Sequence, residues 1–169
     1  MLTRLIMVLS ADGVTARDSS HNPVSWTSKE DQELFKQTTK EFSVMIMGQK
    51  TFDAIGFPLP GRLTIVLTEE SRTDQPGKLE HKRGDLKNIL DELESRGFTK
   101  CCICGGTFVN SKFLEAGLIN EVQLTIEPRL FGSGLRLFDK LSVDLSMELV
   151  EMKKLNESTV YLLYKIQKS

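Results

Sequence analysis

The chain has 169 residues, of which 40% are hydrophobic and 27% charged, with a formal net charge of −1. That length suits one domain, 1–169, able to bury roughly 70% of its unfolded surface, and the near-zero charge gives no field to recruit nucleic acid or an acidic membrane. The apolar run Leu5 to Leu9 is too short for a membrane span or a signal-peptide core, so the cytoplasm is the expected location.

In chain order, residues 3–10 (TRLIMVLS) are the first expected strand, apolar on consecutive positions and therefore covered on both faces. Ala11, Asp12 and Gly13 form the turn after it. Residues 13–25 are polar and turn-rich, which suits a surface loop or a lid over a site. Trp26, the one tryptophan, follows. Thr27-Ser28-Lys29-Glu30 reads as a capping box, with Thr27 as the cap and Glu30 reaching back. Asp31, Leu34, Phe35 and Thr38 then share one helical face. The apolar members point inward and draw Asp31 with them, where a carboxylate needs a partner or rises in pKa. The alternative pairs Ser28 with Asp31 as the box, which leaves Asp31 a solvated cap residue. The residues alone leave both open.

Val44 to Met47 is a buried strand stopped by Gly48. A short helix, Thr51 to Ile55, follows, and then a loop punctuated by Gly56, Pro58, Pro60 and Gly61. The prolines hold that loop in place and deliver Arg62 to the next strand, Leu63 to Thr68. An arginine so placed suits a carboxylate or phosphate; it also suits a plain surface connection. Residues 73–84 mix turn formers with Lys78, Lys82 and Arg83 and read as a solvated face. Asp85 caps a helix carrying Leu86, Ile89, Leu90 and Leu93, with Gly97 as its stop. Lys100 to Cys104 is a further buried strand. Its three cysteines, Cys101, Cys102 and Cys104, are poorly placed for disulfides and lack histidine neighbours for a metal, so they read as small apolar residues. Gly105-Gly106 opens a helix from Thr107 to Ala116, and two glycines there let backbone N–H groups approach a phosphate. Residues 119–127 form a strand ended by Pro128, and 144–154 with 158–167 form an antiparallel pair around Asn156-Glu157. Strands alternating with helices give an α/β fold with a mostly parallel central sheet flanked by helices.

Met47 to Arg62, MGQKTFDAIGFPLPGR, resembles the central motif of the dihydrofolate reductases over its whole length. The resemblance extends over nearly the whole chain and is sharpest at 26–68 and 101–127. It implies a dihydrofolate reductase-like fold and reduction of dihydrofolate by NADPH, an oxidoreductase step of tetrahydrofolate biosynthesis and one-carbon metabolism. It makes Asp31 the pterin-binding acid, supported by Thr125, with Trp26 ordering water beside it. Ile6, Met7, Phe35, Ile55 and Leu59 would line the substrate slot, and Arg62 would hold the glutamate carboxylate. The cofactor would lie along Val8, Gly48, Lys50, Thr51, Thr68 and Arg72, with Cys104, Gly105, Gly106, Thr107 and Phe108 at its nicotinamide and pyrophosphate. Gln49, Glu69, Gln32 and Asn110 depart from the family pattern, as do the bulky Met7 and Val8. Glu69 would repel a 2′-phosphate, so Arg72 or Lys50 must compensate if NADPH is used.

The second half, GGTFVNSKFLEAGLINEVQLTIEPRLFGSG, is similar to the reductase domain of riboflavin biosynthesis, which shares the fold and cofactor. That resemblance implies a ribosylamino-pyrimidine phosphate as the substrate, with Arg62 meeting a phosphate, and it admits a homodimer as well as a monomer. A third reading is a cofactor-binding protein of this fold without turnover.

Overall fold

A computed structural model describes residues 1–167. Fourteen elements follow one another: β1 Leu2–Ser10, β2 Val14–Ala16, α1 Lys29–Phe42, β3 Val44–Gly48, α2 Gln49–Ile55, β4 Leu63–Leu67, β5 Leu79–Lys82, α3 Leu86–Ser95, β6 Lys100–Ile103, α4 Thr107–Glu115, β7 Glu121–Glu127, β8 Leu135–Arg136, β9 Met147–Lys154 and β10 Val160–Ile166. Eight strands form one sheet in the order β5-β4-β3-β6-β1-β7-β10-β9, parallel from β5 to β7 and antiparallel across β10 and β9. This is the expected α/β architecture with its C-terminal antiparallel pair.

The alternation of side chains along each strand builds two cores. Leu5, Val44, Ile46, Ile65 and Ile103 face α3 and α4, whereas Ile6, Met45, Met47 and Val66 face α1 and α2. Runs apolar at every position, such as Val44 to Met47, are what two covered faces require. Cys101, Cys102 and Cys104 are free and buried in these layers, and burial pushes the Cys101 thiol up to about 12 and the other two upward as well. They are inert packing residues.

Three short strands escape the sequence reading. β5 lies in the stretch expected to be a solvated face, with the pattern Leu-Glu-His-Lys and only Leu79 buried. β2 and β8 pair with each other across more than a hundred residues. Asp12 ties the same region together: its carboxylate accepts from the Ser10 hydroxyl at 2.6 Å and the Gly132 N–H at 2.6 Å, which holds its pKa at about 2. The loop after β1 is thus fastened to 131–136 rather than free. The terminal strands are shorter than the expected 144–154 and 158–167: β9 starts at Met147, and β10 starts at Val160, after the turn that Asn156 folds by accepting from the Ser158 and Thr159 N–H groups.

The start of α1 also differs from expectation. Ser28, not Thr27, is the cap, its hydroxyl accepting from the Asp31 N–H at 3.2 Å. Glu30 does not reach back; it accepts from Asn156 instead. The Ser28 N–H that a box would satisfy donates to Glu127 at 2.8 Å, from the far end of β7. A buried acid from another strand has displaced the local partner.

Candidate active site

The carboxyl ends of β1, β3, β4 and β6 open into one cleft of about 1370 Å³. Pockets for a single small ligand run to about 300–1,000 Å³, so this cleft has room for a cofactor and a substrate together. In open α/β sheets ligands sit outside the carboxyl ends of the strands. Two backbone turns meet at its centre, where the Gly48 N–H donates to the Gly105 carbonyl at 2.9 Å.

One end is the glycine turn that leads into α4. Gly106 caps this helix without any side-chain hydrogen bond, so its first N–H groups are free for a ligand. The turn is tightly packed, so a larger residue would press on its neighbours. A Cβ on Gly106 would lie 3.2 Å from Thr51 Oγ1, one on Gly48 3.1 Å from Val109 Cγ2, and Gly105 sits at φ +96. Thr107 donates to the Arg136 carbonyl at 2.6 Å, and Phe108 is exposed at the rim beneath Lys112. Val8, Gly48, Lys50, Thr51, Thr68, Cys104 and the Gly105 to Phe108 turn all line the cleft.

Arg72 does not. It pairs with Glu70 outside the cleft lining. Arg83 joins Lys50 as a cation at that end: β5 runs beside β4 with Leu67 opposite Lys82, and the Thr68 N–H donates to the Lys82 carbonyl. Lys82 is engaged by Glu92 at 2.6 Å. Arg83 has no ion pair among the described residues and lines the cleft together with Glu69. Only the pairing of a strand too polar to be foreseen brings it there.

The other end lies against α1. Asp31, Gln32, Phe35, Lys36 and Lys40 line it, with Ile6, Met7, Ile55, Leu59 and Arg62 opposite and beneath. Asp31 is half-buried, and its pKa is pushed up to about 6. Burial is the main cause; a hydrogen bond with the Thr125 side chain opposes it, the Glu127 charge adds to it, and a Thr27 hydrogen bond again opposes it. Thr125 is buried on β7 opposite Val8. Trp26 is buried behind the cleft rather than in its wall. Its ring packs edge-on against Phe131 at 5.0 Å, and its Nε1 has no hydrogen-bond partner among the described residues.

Arg62 is buried and largely occupied. Its Nε and one Nη donate to the Pro60 carbonyl at 3.2 Å, while the other Nη donates to the Lys36 carbonyl and to Thr39 Oγ1. Of five donors one N–H remains for a ligand. The fork expected to be open is instead a clamp that joins the PLPGR loop to α1.

Glu127 was not foreseen. Buried at 3% exposure, it accepts from the Ser28 N–H and hydroxyl and from Thr159, and so fixes the first turn of α1 on which Asp31 sits. Its negative charge disfavours ionisation of Asp31. Glu127→Gln should therefore bring the Asp31 pKa down from about 6 without reaching the ordinary value, since burial persists. Carboxyl-carbon NMR titration measures this; an unmoved midpoint would remove the Glu127 charge from the account.

The RibD C-terminal domain model matches residues 3–161. The chain belongs to this family, within the dihydrofolate reductase-like superfamily. A dihydrofolate reductase of Haemophilus influenzae is 39% identical over 165 residues, covering 95% of this chain and 94% of that protein. Matches to the type A13 dihydrofolate reductase of Escherichia coli and the dihydrofolate reductase of Bacillus subtilis are 35% and 34% identical. They cover 43% and 60% of this chain, which spans only 43% and 55% of those proteins. Among solved structures, a proposed riboflavin biosynthesis protein from Shewanella sp. PV-4 has a TM-score of 0.85 at 23% identity, covering 99% of this chain and 100% of that one. Enterococcus faecalis dihydrofolate reductase complexed with NADP(H) has a TM-score of 0.76 at 21% identity, covering 99% and 97%. At those identities the structures share the fold.

Proposed function

We propose that this chain is a cytoplasmic reductase that converts 7,8-dihydrofolate to tetrahydrofolate with NADPH. The observation that carries the reading is Asp31, a half-buried carboxyl facing the cleft with a pKa pushed up to about 6. A carboxylate there accepts from the amino and ring N–H groups of a pterin, which is a paired recognition one acid can make. Because Asp31 titrates near neutrality, it can also hold a proton at Oδ within reach of the ring. Phe35, Ile55 and Leu59 supply an apolar slot for the benzoyl ring, and Ile6 and Met7 a floor. The free Arg62 N–H, with Lys36 and Lys40 at the rim, meets the glutamate carboxylates.

The residues present fit a nicotinamide dinucleotide: an uncapped helix N-terminus at Gly106, glycines where an added Cβ would crowd Thr51 and Val109, and a cleft with room for a second ligand. NADPH, when bound, supplies the hydride. The protein's part is to hold the two rings face to face and exclude water. Trp26 Nε1, buried without a partner among the described residues, would hold a water near the carboxyl. Glu69 opposes the 2′-phosphate, and Arg83 and Lys50 offset it. Arg83→Ala should raise the KM for NADPH several-fold and Arg72→Ala should leave it unchanged; the reverse order in steady-state kinetics would return that role to Arg72.

A second reading is favoured by the family match and by the occupied Arg62 fork. Reduction of a ribosylamino-pyrimidine phosphate would use Lys36 and Lys40 for the phosphate and need less of Arg62. Purified protein is assayed by loss of the nicotinamide absorbance with each substrate. Turnover on dihydrofolate, blocked by a pterin-like antifolate, supports the first reading. Turnover on the pyrimidine alone replaces it with the second, and cofactor binding with neither turnover leaves a binding protein.

A further inference from the structure

Gln32 is a polar residue of the substrate wall that ring and tail recognition leave without a role. It lines the cleft together with Lys36 and Lys40. Residues four apart stand one above the other on a helix, so these three form a single row along α1. Each step of the row is about 6 Å. A neutral amide comes first, beside Asp31, and two cations follow. A ligand with its ring at Asp31 and an anionic tail at Lys36 and Lys40 therefore passes Gln32 with its middle.

The amide of Gln32 is already oriented. Its Nε2 donates to the Thr27 carbonyl at 3.1 Å, and to the Val24 carbonyl and the Thr27 hydroxyl at 3.3 Å. Carbonyl oxygens only accept, so the NH2 group must face the 24–27 segment and the oxygen must face away from it. Oε1 accepts from nothing among the described residues. The Thr27 hydroxyl is also a hydrogen-bond partner of Asp31, which places the amide one hydroxyl away from the acid. The neighbouring cleft residues Phe35, Ile55 and Leu59 have apolar side chains and offer no other side-chain acceptor.

We propose, on the reading that Asp31 binds the substrate's ring, that Gln32 is a specificity-determining residue. Its Oε1 accepts from the secondary-amine N–H that joins the ring to the tail. Dihydrofolate has this N–H between its methylene and the benzoyl group, and a ribosylamino-pyrimidine has one between ring and sugar. The same chemistry serves both, and dihydrofolate is the source the test addresses. A ligand whose linking nitrogen has no hydrogen leaves a fixed acceptor unpaired, and sites built on such a bond reject the analogue that lacks it.

Two antifolates that differ at this nitrogen alone, aminopterin with N–H and methotrexate with N–methyl, test the assignment. Their binding to the purified full chain is measured by calorimetry in the presence of NADPH. The wild type should bind the N–H form about tenfold more tightly. Gln32→Met keeps the length of the side chain and should abolish that preference by weakening the N–H form. Loss of the bonds to Val24 and Thr27 alone would weaken both forms equally and leave their ratio intact. Equal binding of the two by the wild type, or a preference that persists in Q32M, overturns the role of Gln32 and leaves the dihydrofolate reading standing. Binding of neither antifolate overturns the dihydrofolate reading, and this assignment with it.

Discussion

Asp31→Asn is expected to reduce turnover at neutral pH by about 10²–10⁴-fold while leaving the fold intact. The fold persists because α1 is capped through the Asp31 backbone N–H, not its side chain. Asparagine keeps the shape of the acid, loses the charge that recognises the ring and cannot hold the proton. The same variant has a stability signature. The Asp31 pKa is raised in the folded chain, so the folded state binds the proton more tightly than the unfolded one. Stability therefore falls as pH rises from about 4 through about 6, and levels off above that. Asparagine removes this loss, so the variant should gain in melting temperature relative to the wild type above pH 6 and not at pH 4. Paired melting curves and a pH–rate profile read both effects. Turnover like the wild type's would remove Asp31 from the chemistry, and a gain independent of pH would mean that another group titrates.

Arg62→Lys is expected to cost stability first and binding second. A lysine cannot reach the Pro60 carbonyl, the Lys36 carbonyl and Thr39 together, since its three donors leave one point. At least one buried acceptor loses its partner, at a cost of about 1–3 kcal/mol. The denaturation midpoint should fall accordingly. The KM for dihydrofolate should rise as well, because the one free Nη N–H is lost, and a tenfold rise corresponds to about 1.4 kcal/mol. A lower midpoint with an unchanged KM would leave Arg62 as a clamp alone and strengthen the pyrimidine reading.

Much of the architecture was legible because it rests on short-range pattern. Continuous apolar runs such as Val44 to Met47 require a strand covered on both faces, and the Leu86, Ile89, Leu90, Leu93 spacing requires a helix with one buried side. The same periodicity allowed Asp31 a place on the inner face of α1 but left a solvated cap position open, and the docked helix puts it at the cleft. β5 was hidden because a single buried Leu79 carries no period. β2 and β8 were hidden because two or three residues form a strand only when a distant partner supplies the other half of the ladder.

The sites that went astray share one cause, which is competition for hydrogen bonds and ion pairs. Thr27-Ser28-Lys29-Glu30 satisfies the capping pattern in one register and Ser28 with Asp31 in another. The choice was made by Glu127, 99 residues away, which takes the Ser28 N–H. Arg62 looked free in a rigid loop, yet the carbonyls of Pro60 and Lys36 come within reach once α1 docks. Arg72 lies nearer in sequence to Thr68 than Arg83 does, yet it pairs with Glu70, and the β4–β5 ladder carries Arg83 to the cleft. The sequence by itself determined the layers and the strand and helix faces, because backbone periodicity and apolar burial act over a few residues. The tertiary structure alone decided which polar group each charged side chain meets, and hence the raised pKa of Asp31. Those partners come from elements far apart in the chain, and the low-dielectric interior rewards only the pairs that packing brings within hydrogen-bond distance.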